Sequence, residues 1–136
     1  MEITRVVMDT DVLIDLLRNV KKVVEFISNM EREGYVLSTT IINAFELYYG
    51  AYRSKKQAEN LASTRKLLER LIILGMNLKS AENAGHIYAD LQIKGQPIGL
   101  RDAMVGAIAL TRGYNLATRN IEHLQKIQGL SLIPAP

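Results

Sequence analysis

The sequence predicts an α/β fold built on a parallel sheet, and three observations predict it. Short apolar runs rich in β-branched residues alternate with longer amphipathic segments along the whole chain. The first run, Ile3 to Met8, passes at once into a helical spacing at Val12, Leu13, Leu16 and Leu17. Between them stands Asp9-Thr10-Asp11, two carboxylates and a hydroxyl at the carboxyl end of a strand. Open α/β sheets bind their ligands at that edge.

The later elements follow in order. Lys21 to Arg32 carries Val23, Val24, Phe26, Ile27 and Met30 in an amphipathic pattern that Gly34 ends. Tyr35 to Ser38 reads as a short strand, after which Thr39 or Thr40 caps a helix running to about Arg53. Projected at the helical period, Ile41, Ile42, Phe45, Tyr48, Tyr49 and Tyr52 form one broad apolar face, with Glu46 at its margin. Lys55 to Arg70 is a more charged helix with a weak stripe of Ala58, Leu61, Leu68 and Leu71, and Leu71 to Leu74 is a strand candidate. Lys79 to Lys94 is a helix closed by Gly95, and Gln96-Pro97-Ile98-Gly99 is a connecting turn. The helix from about Leu100 to Arg112 is apolar on every side between charged ends, which assigns it to the core. Asn115 to Ala117 and Leu130 to Ile133 complete the strands, with a short helix, Ile121 to Ile127, between them.

Composition narrows the function classes. A chain of 136 residues with 48% hydrophobic content suits a single domain over 1–136, able to bury roughly two-thirds of its unfolded surface. The absence of cysteine excludes a disulfide framework and thiolate chemistry. Glu2 and Arg5 in a segment that enters a strand at once are unlike a signal peptide. The longest apolar run, Ala103 to Leu110, is too short to span a bilayer. A cytoplasmic location without membrane contact is expected. The net charge of +3 leans only lightly towards polyanionic partners.

Three acids stand out from a mostly solvated set of 14. Asp9 ends the first strand, where Asp commonly caps the following helix. Thr10 and Asp11 serve that role equally well, which leaves Asp9 in surplus. Glu46 has Tyr49 and Gly50 at the positions where a helical ion pair would form. Asp102 suits the first turn of its helix through the dipole, but it shares a face with Val105, Gly106 and Ala109, small enough for another segment to approach closely. Carboxylates crowded at one sheet edge repel one another unless a cation intervenes. A hard divalent ion such as Mg²⁺ answers that need and supports attack of water on a phosphodiester. Zinc is disfavoured, because His86 and His123 are isolated and neither cysteine nor an HExxH motif is present.

Val7-Met8-Asp9-Thr10-Asp11-Val12-Leu13-Ile14-Asp15, Asn43-Ala44-Phe45-Glu46-Leu47-Tyr48-Tyr49-Gly50-Ala51 and the segment Ile98 to Ala109 resemble the successive motifs of PIN-domain ribonucleases, and more narrowly VapC toxins of toxin–antitoxin modules. Leu116 to Leu124 is similar to that family's last motif, so the resemblance spans essentially the whole chain. It implies a PIN-like three-layer α/β/α fold, with a short twisted parallel sheet flanked by helices, and a Mg²⁺- or Mn²⁺-dependent endoribonuclease. Asp9, Glu46 and Asp102 match the catalytic, metal-holding acids. Asn120 stands where many relatives carry a fourth acid, which removes one anionic ligand and leaves one tightly held metal. Thr10 and Thr118 match supporting hydroxyls that orient carboxylates or water. The resemblance also implies RNA as substrate, a homodimer, and inhibition by a cognate VapB-like antitoxin. The exposed parts of the third and fourth helices, with Tyr48, Tyr49, Tyr52 and Leu61, are the expected antitoxin contact, although core packing explains these tyrosines equally well.

Arg53, Arg101 and Arg119, with Lys55 and Lys56, are the candidate phosphate contacts; Arg101 and Arg119 each adjoin a motif residue. Two other readings fit parts of the chain. Asp9-Thr10-Asp11 satisfies the DxD pattern of haloacid-dehalogenase-type phosphohydrolases, with Asp9 as nucleophile and Asp11 as acid/base, although Leu13 and the lack of a late acidic pair depart from it. A PIN-like module that binds RNA or a partner without cutting is the other, kept open by Asn120.

Overall fold

The computed structural model of the chain describes residues 4–136. Its elements are β1 (Arg5–Met8), α1 (Thr10–Leu17), α2 (Lys21–Arg32), β2 (Val36–Thr40), α3 (Ile41–Arg53), α4 (Gln57–Glu69), β3 (Ile72–Leu74), α5 (Leu78–Ile93), α6 (Leu100–Arg112), β4 (Asn115–Thr118), α7 (Ile121–Leu124) and β5 (Leu132–Pro134). The strands form one parallel sheet in the order β3-β2-β1-β4-β5. Ile3, expected to open the first strand, lies outside the described residues.

Both faces of the sheet are covered, as an all-parallel sheet requires. Along β1, side chains alternate between the two layers. Val6 and Met8 join Val12, Leu13, Val23, Ile27, Ala44, Leu47 and Leu67 on one side. Val7 joins Leu91, Val105, Ile108, Leu116 and Leu124 on the other. Helix α6 is buried on most of its surface, from Asp102 and Ala103 through Val105 to Ala109. A Cβ built on Gly106 would lie 2.4 Å from Cδ1 of Ile127, so the small residue admits the segment after α7 against the helix.

Strand order matters for the site. The chain moves outward from β1 through β2 and β3, then returns to β1's other side as β4 and β5. The reversal falls between β1 and β4, and a crevice opens at the carboxyl ends of two such strands. Asp9 follows β1 directly, and its backbone N–H donates to the Ala117 carbonyl of β4 (2.9 Å).

The apolar stripe of α3 is split: Ala44, Leu47 and Ala51 pack inward with Asn43, Ile42 and Tyr48 are partly buried, and Ile41, Phe45, Tyr49 and Tyr52 are exposed. Small residues bring α3 close to its neighbours, which leaves the large aromatics on the outside. Of the four residues named for the partner contact, Tyr49 and Tyr52 are exposed, whereas Tyr48 packs partly and Leu61 almost fully into the core. Strand β2 also runs on to Thr40, which ends the strand and caps α3 in one residue.

Candidate active site

Asp9 is both the helix cap and the centre of an acidic cluster. It is the N-cap of α1, its Oδ1 accepting from the Thr10 N–H at 2.8 Å. The same oxygen accepts from Asn43 Nδ2 (3.0 Å) and Arg101 Nη2 (2.9 Å). Its Oδ2 accepts from the Thr118 hydroxyl at 2.8 Å, a bond that ties β4 to the end of β1. Buried carboxylates need such partners, because an unpaired one loses its hydration without return.

Glu46 and Asp102 reach the same place from α3 and α6. Glu46 Oε1 accepts from the Thr10 hydroxyl (2.6 Å) and from Arg101 Nη2 (2.6 Å), and Oε2 accepts from Arg101 Nε (3.1 Å). Asp102 Oδ1 accepts from Arg101 Nη1 at 2.8 Å, while Oδ2 accepts from Asn120 Nδ2 at 3.2 Å. The cation that the α3 sequence could not offer Glu46 comes from another helix. Arg101, expected to face phosphate, has its guanidinium among the three carboxylates. Burial acts to lower its pKa, but the hydrogen bonds to Glu46, Asp9 and Asp102 outweigh that and push it above the usual arginine value.

Arg119 is held in a second acidic pair. Its Nη1 lies 2.6 Å from Asp15 Oδ2, and its backbone N–H donates to Asp11 Oδ2 at 3.1 Å. Burial, and next the neighbouring charge of Asp9, raise the Asp11 pKa, while Arg119 opposes the shift. Asp11 Oδ1 is buried and has no hydrogen-bond partner. Arg53 stands apart from both clusters, over the Tyr49 ring on the outer face of α3. Asn120 presents its amide nitrogen, a donor, to Asp102.

Sequence reasoning passed over Asn43. Its side chain is fully buried and joins two strand–helix corners, donating to Asp9 and to the Thr10 hydroxyl (2.8 Å) while accepting from Thr40. The available signal was the Thr40-x-x-Asn43 spacing, a capping box with Asn in place of Glu or Gln.

The donor set consists of carboxylate oxygens with hydroxyl and amide support, which suits a hard divalent cation in chemistry and in charge. The Arg101 guanidinium lies among these acids, and among the described residues no three His, Asp or Glu side chains close up to the separation of a metal-ligand set. Three acids face one arginine, an excess of negative charge at an edge open to solvent.

A parallel sheet, a switch-point crevice and acids converging from the end of β1 and from α3 and α6 define an α/β domain with an acidic site at the carboxyl edge of its sheet, and comparison with known proteins gives its family. The PIN domain family model matches residues 6–130, and the chain belongs to that family. Within it, the chain is 30% identical over 125 residues to the tRNA(fMet)-specific endonuclease VapC of Salmonella typhimurium, covering 92% of this chain and 93% of the relative. Ribonuclease VapC2 of Haemophilus influenzae is 29% identical, over 90% of this chain and 92% of its own. The structure of DNA-bound VapBC from Salmonella typhimurium superposes with a TM-score of 0.86 at 27% identity, covering 98% of both chains. The family match leaves the haloacid-dehalogenase reading without support, and Asp11, engaged with Arg119, is poorly placed for its acid/base role.

Proposed function

We propose that this chain is a divalent-metal-dependent endoribonuclease, the toxin of a VapBC-type toxin–antitoxin pair acting in the cytoplasm. The observation that carries this reading is the meeting of Asp9, Glu46 and Asp102, contributed by three elements far apart in sequence, around one point at the β1/β4 switch. Kinship with proteins named VapC ribonucleases supports RNA as the substrate. Among the described residues no helix is long and apolar enough to cross a membrane.

Asp9 and Asp102 are the buried members of the cluster and would hold Mg²⁺ or Mn²⁺, with Glu46 completing the set from the more exposed side. A metal held there would supply an activated water and offset charge on the phosphate oxygens. Thr118 and Asn120 fix the outer oxygens of Asp9 and Asp102, and Asn43 with the Thr10 N–H fixes the orientation of Asp9. We nominate no side chain as general base; Glu46 or bulk solvent would take the proton. The antitoxin partner follows from the kinship and from a cleft between α1, α3 and α4 that runs from Glu46 past Ile14, Leu17, Gly50 and Ala51. An inhibitory tail lying in that cleft would end at the acids. A homodimer is the assembly we assign to the chain.

The test is cleavage of an RNA pool by the purified chain in Mn²⁺. Asp9→Asn and Asp102→Asn are each expected to lose roughly 100-fold or more of the activity, with an unchanged circular dichroism spectrum. Cleavage by either variant at the parental rate contradicts the assignment. RNA binding without cleavage by the parent makes the chain a non-cutting module, and phosphate release from a small ester without RNA cleavage returns the phosphohydrolase reading.

A further inference from the structure

We propose that Arg101 is the site's own competitor for the metal: its guanidinium and a divalent cation claim the same carboxylate oxygens, so that loading the site requires Arg101 to swing out. The inference rests on the metal-dependent nuclease reading and adds to it a step that this chain's arginine controls.

The hydrogen bonds divide the oxygens into two groups. Two are held by neutral donors alone, Asp9 Oδ2 by Thr118 and Asp102 Oδ2 by Asn120. The others accept from Arg101: Asp102 Oδ1 from Nη1, Glu46 Oε2 from Nε, and Glu46 Oε1 and Asp9 Oδ1 from Nη2, these last two sharing it with neutral donors, the Thr10 hydroxyl on Glu46 and the Thr10 N–H and Asn43 on Asp9. The planar fork fits a ring of carboxylates in a way a lysine ammonium does not. One guanidinium serves three acids, so the cluster keeps two uncompensated negative charges. A divalent cation at the same oxygens brings twice the charge and no rotamer entropy of its own.

Arg101 also has a path to solvent. It springs from the first turn of α6, next to Asp102, and its side chain is 31% exposed, whereas that of Asp9 is 3% exposed. Rotation about its own torsions carries it to solvent without disturbing α6. While it stays, it neutralises carboxylates whose burial unpaired would weaken the fold. The arginine therefore stabilises the acid cluster in low metal and raises the metal concentration at which the site fills.

The experiment is Mn²⁺ titration calorimetry on chelator-stripped parent, Arg101→Gln and Arg101→Lys, with thermal unfolding in EDTA alongside. Arg101→Gln is expected to bind Mn²⁺ at least about tenfold more tightly and to unfold at a lower temperature in EDTA, with Arg101→Lys between it and the parent. Equal or weaker binding by Arg101→Gln, with the parent binding normally, overturns the inference and leaves the nuclease reading standing. Failure of parent and variant alike to bind Mn²⁺ removes the nuclease reading, and this inference with it. Should Arg101→Gln not fold, the readout moves to the parent labelled with ¹⁵N-arginine. The Arg101 Nε–H signal should shift and exchange faster with water on saturation with Mg²⁺; a signal that does not move overturns the proposal.

Discussion

Asn43 Nδ2 donates to Asp9 Oδ1 at 3.0 Å, and through that bond the corner between β2 and α3 holds the corner between β1 and α1. The amide is fully buried, and its oxygen accepts from the Thr40 N–H (3.2 Å) and hydroxyl (2.7 Å). Asn43→Ala should cost about 2–3 kcal/mol in urea unfolding, since it strips a buried carboxylate of a donor and breaks the capping box together. Asn43→Asp should be worse, adding a carboxylate beside Asp9. An alanine variant with parental stability would contradict this role.

Thr118→Val keeps the shape of the β4 end and deletes the donor to Asp9 Oδ2. It should destabilise by about 1–2 kcal/mol and weaken Mn²⁺ binding, with Thr118→Ser restoring both. Calorimetry and urea titration of the pair check it.

Gly106 lets Ile127 reach α6. Gly106→Ala meets only the tip of a flexible side chain, and the helix gains from alanine, so the net change should stay within about 1 kcal/mol. Gly106→Val should cost about 1–3 kcal/mol by overpacking. A valine variant as stable as the alanine one would contradict the close approach.

The raised pKa of Asp11 gives stability a definite dependence on pH. Above its ordinary value of 3.8 the folded protein binds more protons at this group than the unfolded chain does, so stability attributable to it falls as pH rises through the folded pKa. In EDTA, Asp11→Asn should match the parent below that ordinary value and become the more stable of the two towards neutrality. The charged groups set around Asp11 are Asp9, which repels it, and Arg119, which opposes the shift and also pairs with Asp15. A gap between the variants that narrows as pH rises would contradict this sign.

Phe45 is 66% exposed and Tyr49 55%, stacked on the outer face of α3. The double change Phe45→Ser and Tyr49→Ser should alter stability by less than about 1 kcal/mol, yet reduce co-purification of a co-expressed VapB-type antitoxin. Undiminished co-purification would remove this face from the partner surface.

The alternation of strands and helices was legible because apolar periods differ between the two, and the central burial of α6 because no side of it is polar. Glu46 stood out because its own helix offers it no cation, whereas the surplus argued for Asp9 did not hold, since Asp9 itself caps α1. The side of α3 that faces the core stayed open, because its aromatics suit a core or a partner face alike, while the inward residues are Ala44, Leu47 and Ala51. Arg101 and Arg119 looked like phosphate contacts, since a sequence shows a cation beside a motif and not the carboxylates folded around it. Asn43 was hidden for a similar reason: its partners at Asp9 and Thr10 lie 34 and 33 residues away.

The most direct measurement is anomalous scattering from a crystal grown in saturating Mn²⁺. A peak within coordination distance of Asp9 and Asp102, and absent from crystals of Asp102→Asn, is the expected result. A peak bound elsewhere, or none at saturation, would contradict a metal centre built from these acids.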